Sequence, residues 1–514
     1  MRATPFPTIF AAIIVLSLAF RVVGLMNSFP ILVDEAIYLR WAEIVQHQRQ
    51  WLVPLLDGKT PLSTWIYAGL RLFPGDPLLE ARAVSVVAGV LSTVGLFLMG
   101  KRLRGIPVGF GTACLYAVLP FGVLYDRLAY TDSLVNLFGI AVCLASLWCF
   151  EDSRPKLGKA AVCGLILGLG YFTKPTVLLF GGVPLAIAIT RYGKRWIDAI
   201  PGLALILSIT CSFVLFCWLT VPNAPTYDFN HPVLHHTSLF TPIGELLRTP
   251  MKNAGVNISR LAEYWTAYIS LPGLLLALFS LTVVVLRHRG VAAAVVLSAT
   301  VVPILVQVLA LEYFPSRYVF AHTWPLLLSI ALVAETMHAP WRYFLVLLLL
   351  PLPVRSAELL VWPRRYVHPA DAKEFLGSGP YAGFGIAEAI SLLRAESTSG
   401  PLVVLTDPIW GTPADAVFAY LNGRNRIRVF DAWWMQISAD QPILPAGPME
   451  VMKSQYERVA AGTVDFSEPR RVFYVTDTNY NGPDVVRSRE PTARLVARFH
   501  KPAGDTSIDV YQLR

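Results

Sequence analysis

An acidic pair, Asp34 and Glu35, follows directly after the first long apolar segment, in the stretch LVDEAIYLR at residues 32–40. Charge beside a lipid bilayer is costly, so carboxylates at that depth indicate a function. Partial loss of hydration there makes a carboxylate a better proton acceptor near neutral pH. We therefore expect both residues to be part of the catalytic site. Adjacent helical side chains point about 100° apart, so only one of the two should meet the substrate, and we assign Asp34 as the general base. The alternative interpretation is a helix N-cap followed by a first-turn acid.

Three basic side chains beside later apolar segments are candidates for binding a phosphate. Lys59 lies in a tight turn within DGKTPLSTW at residues 57–65, where the alternative is that it extends to lipid headgroups. Lys174 interrupts two apolar runs in YFTKPTVLLF, where a charge is expensive without a partner. Arg317 begins a segment in EYFPSRYVFAHTWP, although a cation at a helix N-terminus opposes the helix dipole. An anionic ligand would account for all three, and we assign Tyr318 to the same group.

Other polar residues are candidates for binding an acceptor or a sugar. Asp126 and Asp132 lie in YDRLAYTDS at residues 125–133, and we add Tyr38 to them. His231 lies with two further histidines in the polar segment 221–266, but their spacing is not typical of a metal site. We predict no metal ligands and no required cofactor, although a divalent metal could still take part.

The composition indicates that these residues belong to a membrane protein. Of the 514 residues, 55% are hydrophobic and 15% are charged, and the mean hydropathy is +0.53. Because soluble domains carry about a quarter charged residues, most of this chain is expected to lie in lipid. The net charge of +9 comes from Lys and Arg residues spread over loops, which argues against nucleic acid as a partner.

Eleven apolar segments within residues 1–365 are candidates for membrane-spanning helices, which need about 20 mostly apolar residues. The candidates are 7–26, 80–100, 106–124, 132–150, 159–172, 175–190, 198–220, 267–286, 291–311, 317–335 and 342–360. The first has no small-residue cleavage site after it, so we interpret it as a retained helix rather than a signal peptide.

Basic residues follow every second apolar segment, and this pattern predicts the sidedness of the chain. Lys101, Arg102 and Arg104 follow the second segment, and Arg342 follows the tenth. Because short basic loops stay in the cytoplasm, we predict a cytoplasmic N-terminus and an extracytoplasmic side that carries Asp34 and the tail. Two helices in the first outer loop, within about residues 35–73, are expected to lie on the membrane with their apolar faces down.

The composition changes near Tyr366, so residues 366–514 predict a separate extracytoplasmic α/β domain. Three runs look like strands and two look like helices, namely 401–407, 427–431 and 470–477 for the strands, and 386–396 and 413–423 for the helices. Asp407 and Asp477 end two of these strands and could face a crevice, although such residues often cap turns.

The order of these motifs resembles a known family. An acidic pair after the first segment is followed by Lys-x-Pro-Leu-x-x-Trp, an Asp that begins a later segment, Thr-Lys, and a late Arg-Tyr. This order resembles the type C glycosyltransferases of the protein O-mannosyltransferase group, especially the bacterial aminoarabinose transferase-like members. The resemblance covers residues 1 to about 360 and implies a polytopic, mostly α-helical fold, with an outer α/β domain in some members.

The resemblance also implies roles for individual residues. Asp34 matches the catalytic acid of the first outer loop, and Asp132 matches a second outer acid. Lys59 matches the lysine of a Glu-Lys-Pro-type turn, although Gly58 stands here in place of the acid. Lys174 matches the Thr-Lys lysine, and the pair at 317–318 matches the late Arg-Tyr pair.

The implied function is a phospholipid carrier-dependent glycosyltransferase of the inner or plasma membrane. It would move a hexose or pentose from a polyprenyl-phosphate donor to a hydroxyl of a protein, lipid or glycan, with inversion and with Asp34 as general base. A ligase for lipid-linked glycans is the alternative enzyme. A transporter or flippase of lipid-linked sugars is the alternative from another class, but it should place charges near mid-bilayer and show repeated halves.

Overall fold

A helical bundle and a smaller α/β tail make up the protein in the computed structural model. The residues that the structure describes are 6–71, 75–220, 240–287, 290–376, 382–407, 411–424, 426–432, 435, 471–502, 504 and 506–513.

The helices of the first half of the bundle follow the predicted apolar segments. They are α1 (Phe6–Val22), α2 (Val33–Gln48), α3 (Leu62–Leu70), α4 (Pro77–Arg104), α5 (Ile106–Ala117), α6 (Pro120–Tyr125), α7 (Asp132–Cys149), α8 (Leu157–Thr173), α9 (Gly182–Tyr192) and α10 (Ile200–Thr220). Short 3₁₀ turns occupy Val53–Asp57, Pro175–Gly181 and Gly193–Ala199. The predicted segment 106–124 is broken at Pro120, and Pro175 begins the 3₁₀ turn that follows the expected break after α8, because the residue before a proline disfavours helical geometry.

The second half of the bundle contains shorter and more bent helices. They are α11 (Ile243–Arg248), α12 (Ala254–Ile269), α13 (Leu271–Arg287), α14 (Val291–Val296), α15 (Val302–Ala310), α16 (Ser316–Phe320), α17 (Trp324–Thr336), α18 (Ala339–Leu349) and α19 (Pro351–Val361). A π-helical turn, Leu297–Val301, joins α14 to α15. The chain bends by 110° between helices α12 and α13. Ser270 lies between them with a φ of 70°, which ends α12.

Six helical segments in the described part of the chain are long and apolar enough to cross a membrane, or seven if the bent pair α12–α13 is one span. All eleven predicted segments coincide with helical structure, but how many of them cross the membrane stays a prediction. Helix α10 exposes Leu207, Leu215 and Trp218 by 63%, 51% and 71%. A helix that is apolar on its outer face in this way is suited to lipid rather than water.

The two ends of helix α4 lie at opposite ends of the bundle. Helix α4 has 28 residues and therefore extends over about 42 Å. At its C-terminal end the Arg104 guanidinium lies 3.5 Å from the Glu335 carboxylate, among the basic loops. At its N-terminal end Asp76 accepts a hydrogen bond of 3.0 Å from Tyr420 of the tail. The tail therefore lies at the end of the bundle opposite to the basic loops.

The tail contains a mixed five-stranded sheet in the order β2-β1-β3-β5-β4. Its elements are α20 (Ala370–Leu376), α21 (Ile386–Ser397), β1 (Leu402–Thr406), α22 (Ala414–Leu421), β2 (Ile427–Asp431), β3 (Arg471–Asp477), α23 (Pro483–Arg489), β4 (Arg494–His500) and β5 (Ser507–Gln512). Strand β1 pairs in parallel with β2 and β3, while β5 pairs antiparallel with β3 and β4. The predicted strands and helices are confirmed, whereas β4 and β5 were not predicted. Residues Arg494 to Phe499 of β4 are mostly exposed, so their pattern lacks a buried face.

The segment between α1 and α4 differs from the prediction in one respect. The two helices, α2 and α3, form as expected, but every residue of α2 from Asp34 to Val45 is buried. Helix α2 therefore has no polar face open to water, and its place on the membrane surface stays a prediction. The tail covers that face, and the Arg40 guanidinium lies 3.4 Å above the Phe418 ring of α22. Arg71 joins the two parts by donating to the carbonyls of Leu39 and Ala419 at 3.0 and 2.9 Å.

Candidate active site

Asp34 lies in the first turn of α2, and its carboxylate meets cations from two other segments. Its Oδ2 accepts a hydrogen bond from Arg317 of α16, 283 residues further along the chain. Its Oδ1 lies 3.9 Å from the Lys59 ammonium. The side chain of Asp34 is 12% exposed, against 33% for Lys59 and 22% for Arg317. The two cations are thus more accessible to a ligand than the carboxylate that they pair with.

An aromatic surface on α2 supports the Lys59 side chain. The Lys59 ammonium lies 5.3 Å from the ring centre of Tyr38 and 5.2 Å from that of Trp41. Gly58 adopts a φ of 62° at the end of the 3₁₀ turn before it, a left-handed conformation that glycine adopts without strain. Burial raises the pKa of the Tyr38 phenol to about 12, and the positive charge of Lys59 opposes that shift. Tyr38 therefore stays protonated at neutral pH and can donate a hydrogen bond.

A second ion pair lies beside the first. The Lys174 ammonium is 2.7 Å from the Asp132 carboxylate, with side chains 16% and 5% exposed. Lys174 stands at the break after α8, and Asp132 begins α7. The Tyr318 ring connects the two pairs, because its centre lies 4.5 Å from the Lys174 ammonium and 5.6 Å from the Arg317 guanidinium carbon.

The structure thus brings together most of the residues that the sequence singled out. The shared cluster consists of Asp34, Tyr38, Lys59, Asp132, Lys174, Arg317 and Tyr318, and we call it the Asp34 cluster. It contains three basic and two acidic side chains, so it carries a net positive charge. Such a site favours an anionic ligand.

Glu35 points away from the Asp34 cluster. Its carboxylate is fully buried and accepts four hydrogen bonds, two of them from the Arg82 guanidinium at 2.8 Å each. The backbone N–H groups of Leu32 and Ala129 supply the other two, at 3.0 and 2.7 Å. Both oxygens are fully occupied, so this geometry leaves no oxygen of Glu35 for a substrate. It makes Glu35 an anchor for the start of α2, and a catalytic role remains a prediction that the geometry disfavours.

Asp126 also lies outside the Asp34 cluster. Its carboxylate pairs with Arg21 of α1 at 2.8 Å and accepts a hydrogen bond of 2.9 Å from Tyr116. Both charged side chains are 0% exposed. A sugar or an acceptor could reach Asp126 only by separating this buried pair. His231, the remaining candidate, lies outside the described residues.

Three neighbours of the cluster were not expected from the sequence. The ring centre of Tyr130 lies 5.7 Å from the Arg317 guanidinium carbon, and that of Trp41 lies 5.2 Å from the Lys59 ammonium. Asp371 of α20 lines a narrow cavity together with Arg317 and Tyr130. An acid just after Pro369, at the start of a helix, is the sequence signal that could have drawn attention to Asp371. Within the described residues no group of three or more His, Cys, Asp or Glu side chains could hold a metal ion.

Comparisons with known proteins agree with this architecture. The family model for dolichyl-phosphate-mannose-protein mannosyltransferases matches residues 58–219. The undecaprenyl phosphate-alpha-4-amino-4-deoxy-L-arabinose arabinosyl transferase of Pseudomonas aeruginosa (strain LESB58) is 24% identical over 220 residues, 41% of this chain and 40% of that protein. The match thus spans less than half the length of that relative. The lipid A galacturonosyltransferase RgtD of Rhizobium johnstonii is 22% identical over 483 residues, 90% of this chain and 89% of that protein.

Solved structures share the fold over nearly the whole chain. ArnT from Cupriavidus metallidurans, in its structure bound to undecaprenyl phosphate, aligns with a TM-score of 0.54 and 14% identity over 100% of this chain and 98% of that one. The oligosaccharyltransferase AglB from Archaeoglobus fulgidus, in complex with an inhibitory peptide and a dolichol-phosphate, aligns with a TM-score of 0.54 and 10% identity over 98% and 74%. The protein is a multi-pass membrane protein that shares the type C glycosyltransferase fold of these structures, and over part of its length it is similar to the aminoarabinose transferases.

Proposed function

We propose that this protein is a membrane glycosyltransferase that moves a sugar from a polyprenyl-phosphate donor to an acceptor hydroxyl. The observation that carries the proposal is the Asp34 cluster, in which a carboxylate lies among three cations at one end of a membrane bundle. A sugar phosphate on a lipid carrier needs this combination: cations for the phosphate, and a base for the acceptor. The names of the arabinosyl and galacturonosyl transferase relatives support the same class of reaction.

In the proposed reaction the acceptor oxygen attacks the anomeric carbon from the face opposite the phosphate. The carbon–oxygen bond to the phosphate breaks, the acceptor proton passes to Asp34, and polyprenyl phosphate leaves. One displacement of this kind inverts the configuration at the anomeric carbon. The departing phosphate gains negative charge, so fixed cations stabilise the transition state more than the ground state. Lys59 and Arg317 are the more exposed cations, and Lys174 lies behind Tyr318.

The ion pair between Asp34 and Arg317 bears on how the base becomes available. A carboxylate paired with a guanidinium is a weaker base than a solitary one, since the cation stabilises its charged form. A donor phosphate offers Arg317 and Lys59 an alternative anion, whose negative charge increases as polyprenyl phosphate leaves. We infer that donor binding draws these cations toward the phosphate and leaves Asp34 free to accept a proton.

The proposed orientation in the membrane follows from the basic loops at one end of the bundle. The end with the basic loops would face the cytoplasm, and the Asp34 cluster and the tail would lie on the extracytoplasmic side. Charge balance at the phosphate would come from side chains of the chain itself, with no divalent metal required. The acceptor would be a protein, a lipid or a glycan that presents a hydroxyl.

The test uses the purified protein in detergent and a panel of polyprenyl-phosphate sugars. Release of free polyprenyl phosphate is followed with and without a chelator, because slow hydrolysis does not require the true acceptor. We expect release from one donor by the parent, no change with the chelator, and a loss of about 10²–10⁴-fold in Asp34→Asn. Donor binding should persist in that variant, since its cations remain.

A matched control separates the chemistry from helix capping. Asp484 lies in the first turn of α23, where it is exposed and far from the cluster in sequence. Asp484→Asn should keep the full rate of release. Failure of every donor in the panel to bind would reject the transferase. Equal rates for the parent and Asp34→Asn would reject Asp34 as the base.

A further inference from the structure

The helix that carries Arg317 begins without a capping side chain of its own. Helix α16 covers only Ser316–Phe320, and Pro315 before it offers no side-chain acceptor. Asp371 of α20 takes that place from 55 residues away. Its Oδ2 accepts hydrogen bonds from the backbone N–H of Ser316 and from the Ser316 hydroxyl, each at 2.7 Å.

The contact belongs to a longer series of hydrogen bonds. The Ser316 hydroxyl donates its single proton to Asp371, so the Tyr125 hydroxyl, 2.8 Å away, must donate to Ser316. Helix α20 is itself held, because the backbone N–H of Ala370 donates to the Glu263 carboxylate of α12 at 2.9 Å. Asp371 is therefore fixed on one side by the bundle and fixes the start of α16 on the other.

The location of this cap matters because the next residue is Arg317. A cation in the first turn of a helix is opposed by the helix dipole, whereas an anion there is favoured. The Asp371 carboxylate supplies that anion and lies in the same narrow cavity as Arg317. With the first turn held by Asp371, the Arg317 guanidinium is directed to the Asp34 carboxylate.

We propose that Asp371 is a positioning residue, which holds the first turn of α16 so that Arg317 is presented to Asp34 and to the donor phosphate. This inference rests on the proposed function and deepens it, because it makes the segment that leads into the tail a part of the donor site. Asp371 touches no reacting atom in this scheme and acts through Arg317.

The first test compares Asp371→Ala and Asp371→Asn with a matched capping residue. Losing a helix cap changes the population of the capped geometry by roughly 2- to 30-fold. We expect Asp371→Ala to lower kcat/KM for the donor by about tenfold, with most of the effect in KM. Asp371→Asn should stay within about threefold, because an amide oxygen also caps a helix. The control is Asp76→Ala, since Asp76 caps α4 at Leu78 and Leu79 and also contacts the tail, yet precedes no cluster residue.

A double variant asks whether the effect passes through Arg317. In an Arg317→Ala background, Asp371→Ala should cause little further loss, because there is no guanidinium left to position. A full additional tenfold loss in that background would overturn the proposal. So would equal losses in Asp371→Ala and Asp76→Ala, since general weakening of the fold predicts them.

Hydrogen exchange provides a readout that needs no turnover. The amides of residues 316–320 should exchange faster in Asp371→Ala than in the parent, while those of α4 stay unchanged. Unchanged exchange at 316–320 would reject the positioning role even if the parent is active. If the parent has no activity but residues 316–320 still exchange faster in Asp371→Ala than in the parent, the proposed function is rejected and the structural part of the inference stands.

Discussion

Replacing Glu35 by Gln is expected to destabilise the protein far more than replacing its neighbour Asp34 by Asn. The two carboxylates are adjacent in sequence, but they have different surroundings. The Glu35 carboxylate and the Arg82 guanidinium are both 0% exposed and form two hydrogen bonds with each other. The Asp34 side chain keeps 12% exposure and pairs with Lys59 and Arg317, which are more exposed than the carboxylate.

The loss of stability in Glu35→Gln follows from the hydrogen bonds that a Gln amide cannot accept. Glu35 accepts four hydrogen bonds through two oxygens, and Gln has one oxygen and an NH₂ group. At least two contacts are therefore lost, and the NH₂ group faces other donors. Arg82 is left without its counter-charge in a buried site, and breaking such a pair costs about 3–5 kcal/mol. That is a large share of the roughly 5–15 kcal/mol that stabilises a typical domain.

Thermal unfolding in detergent measures this difference. We expect the apparent melting temperature of Glu35→Gln to fall by about 3–5 °C, and that of Asp34→Asn to change by less than about 1 °C, because 1 kcal/mol is worth about 1 °C in a chain of this length. The matched control is Glu388→Gln, because Glu388 is an exposed first-turn residue of α21. It should stay within about 0.5 kcal/mol of the parent.

Activity measured on the same variants completes the test. Asp34→Asn should lose turnover while staying folded, and Glu35→Gln should lose turnover in step with its loss of folded protein. The reasoning fails if Glu35→Gln is as stable as the parent and yet has no turnover. Glu35 would then be the proton acceptor, and Asp34 would be a partner of the cations.

Three further predictions concern the cations, the tail and pH. Arg317→Ala should lower the rate of polyprenyl phosphate release by about 10²–10³-fold, and Arg317→Lys should recover only part of it, as steady-state kinetics would reveal. Arg71→Met should loosen the tail from α2, because Arg71 donates to carbonyls of both, and limited proteolysis should then cut the tail faster than in the parent. Burial raises the pKa of Asp407 to about 6, above its usual value in an unfolded chain, so the folded state holds its proton to higher pH. Relative to Asp407→Asn, the parent should thus lose stability as pH rises from about 4 to about 6 and change little above about 7, which unfolding curves at several pH values would measure.

The tail illustrates how far local pattern can predict structure. The strands at 402–406, 427–431 and 471–477 were predicted because they are short apolar runs between turn signals. Strand β4 was not, because its residues are largely exposed and it is held by hydrogen bonds to β5 alone. An edge strand takes its conformation from its neighbour, and the sequence of the strand alone carries little of that information.

The burial of α2 shows a second limit of prediction from local sequence pattern. Its sequence alternates apolar and charged residues at helical spacing, which is typical of a helix on a membrane surface. The helix formed, but its Arg40 meets Phe418 of α22 in the tail rather than water. Periodicity reports which face of a helix is polar, whereas the partner of that face depends on residues several hundred positions away.

The sequence by itself determined the membrane class, the apolar segments and the residue types at the site. Those depend on composition and short-range spacing, because apolar length and a costly charge are local properties. Helical geometry already favoured Asp34 over Glu35 as the base, but only the tertiary structure gave the two carboxylates their partners, since the first meets Lys59 and Arg317 and the second meets Arg82. Only the tertiary structure showed that the Asp371 carboxylate caps the helix that carries Arg317. Each of these assignments is a contact between segments distant in the chain, and such contacts form only when the whole bundle packs.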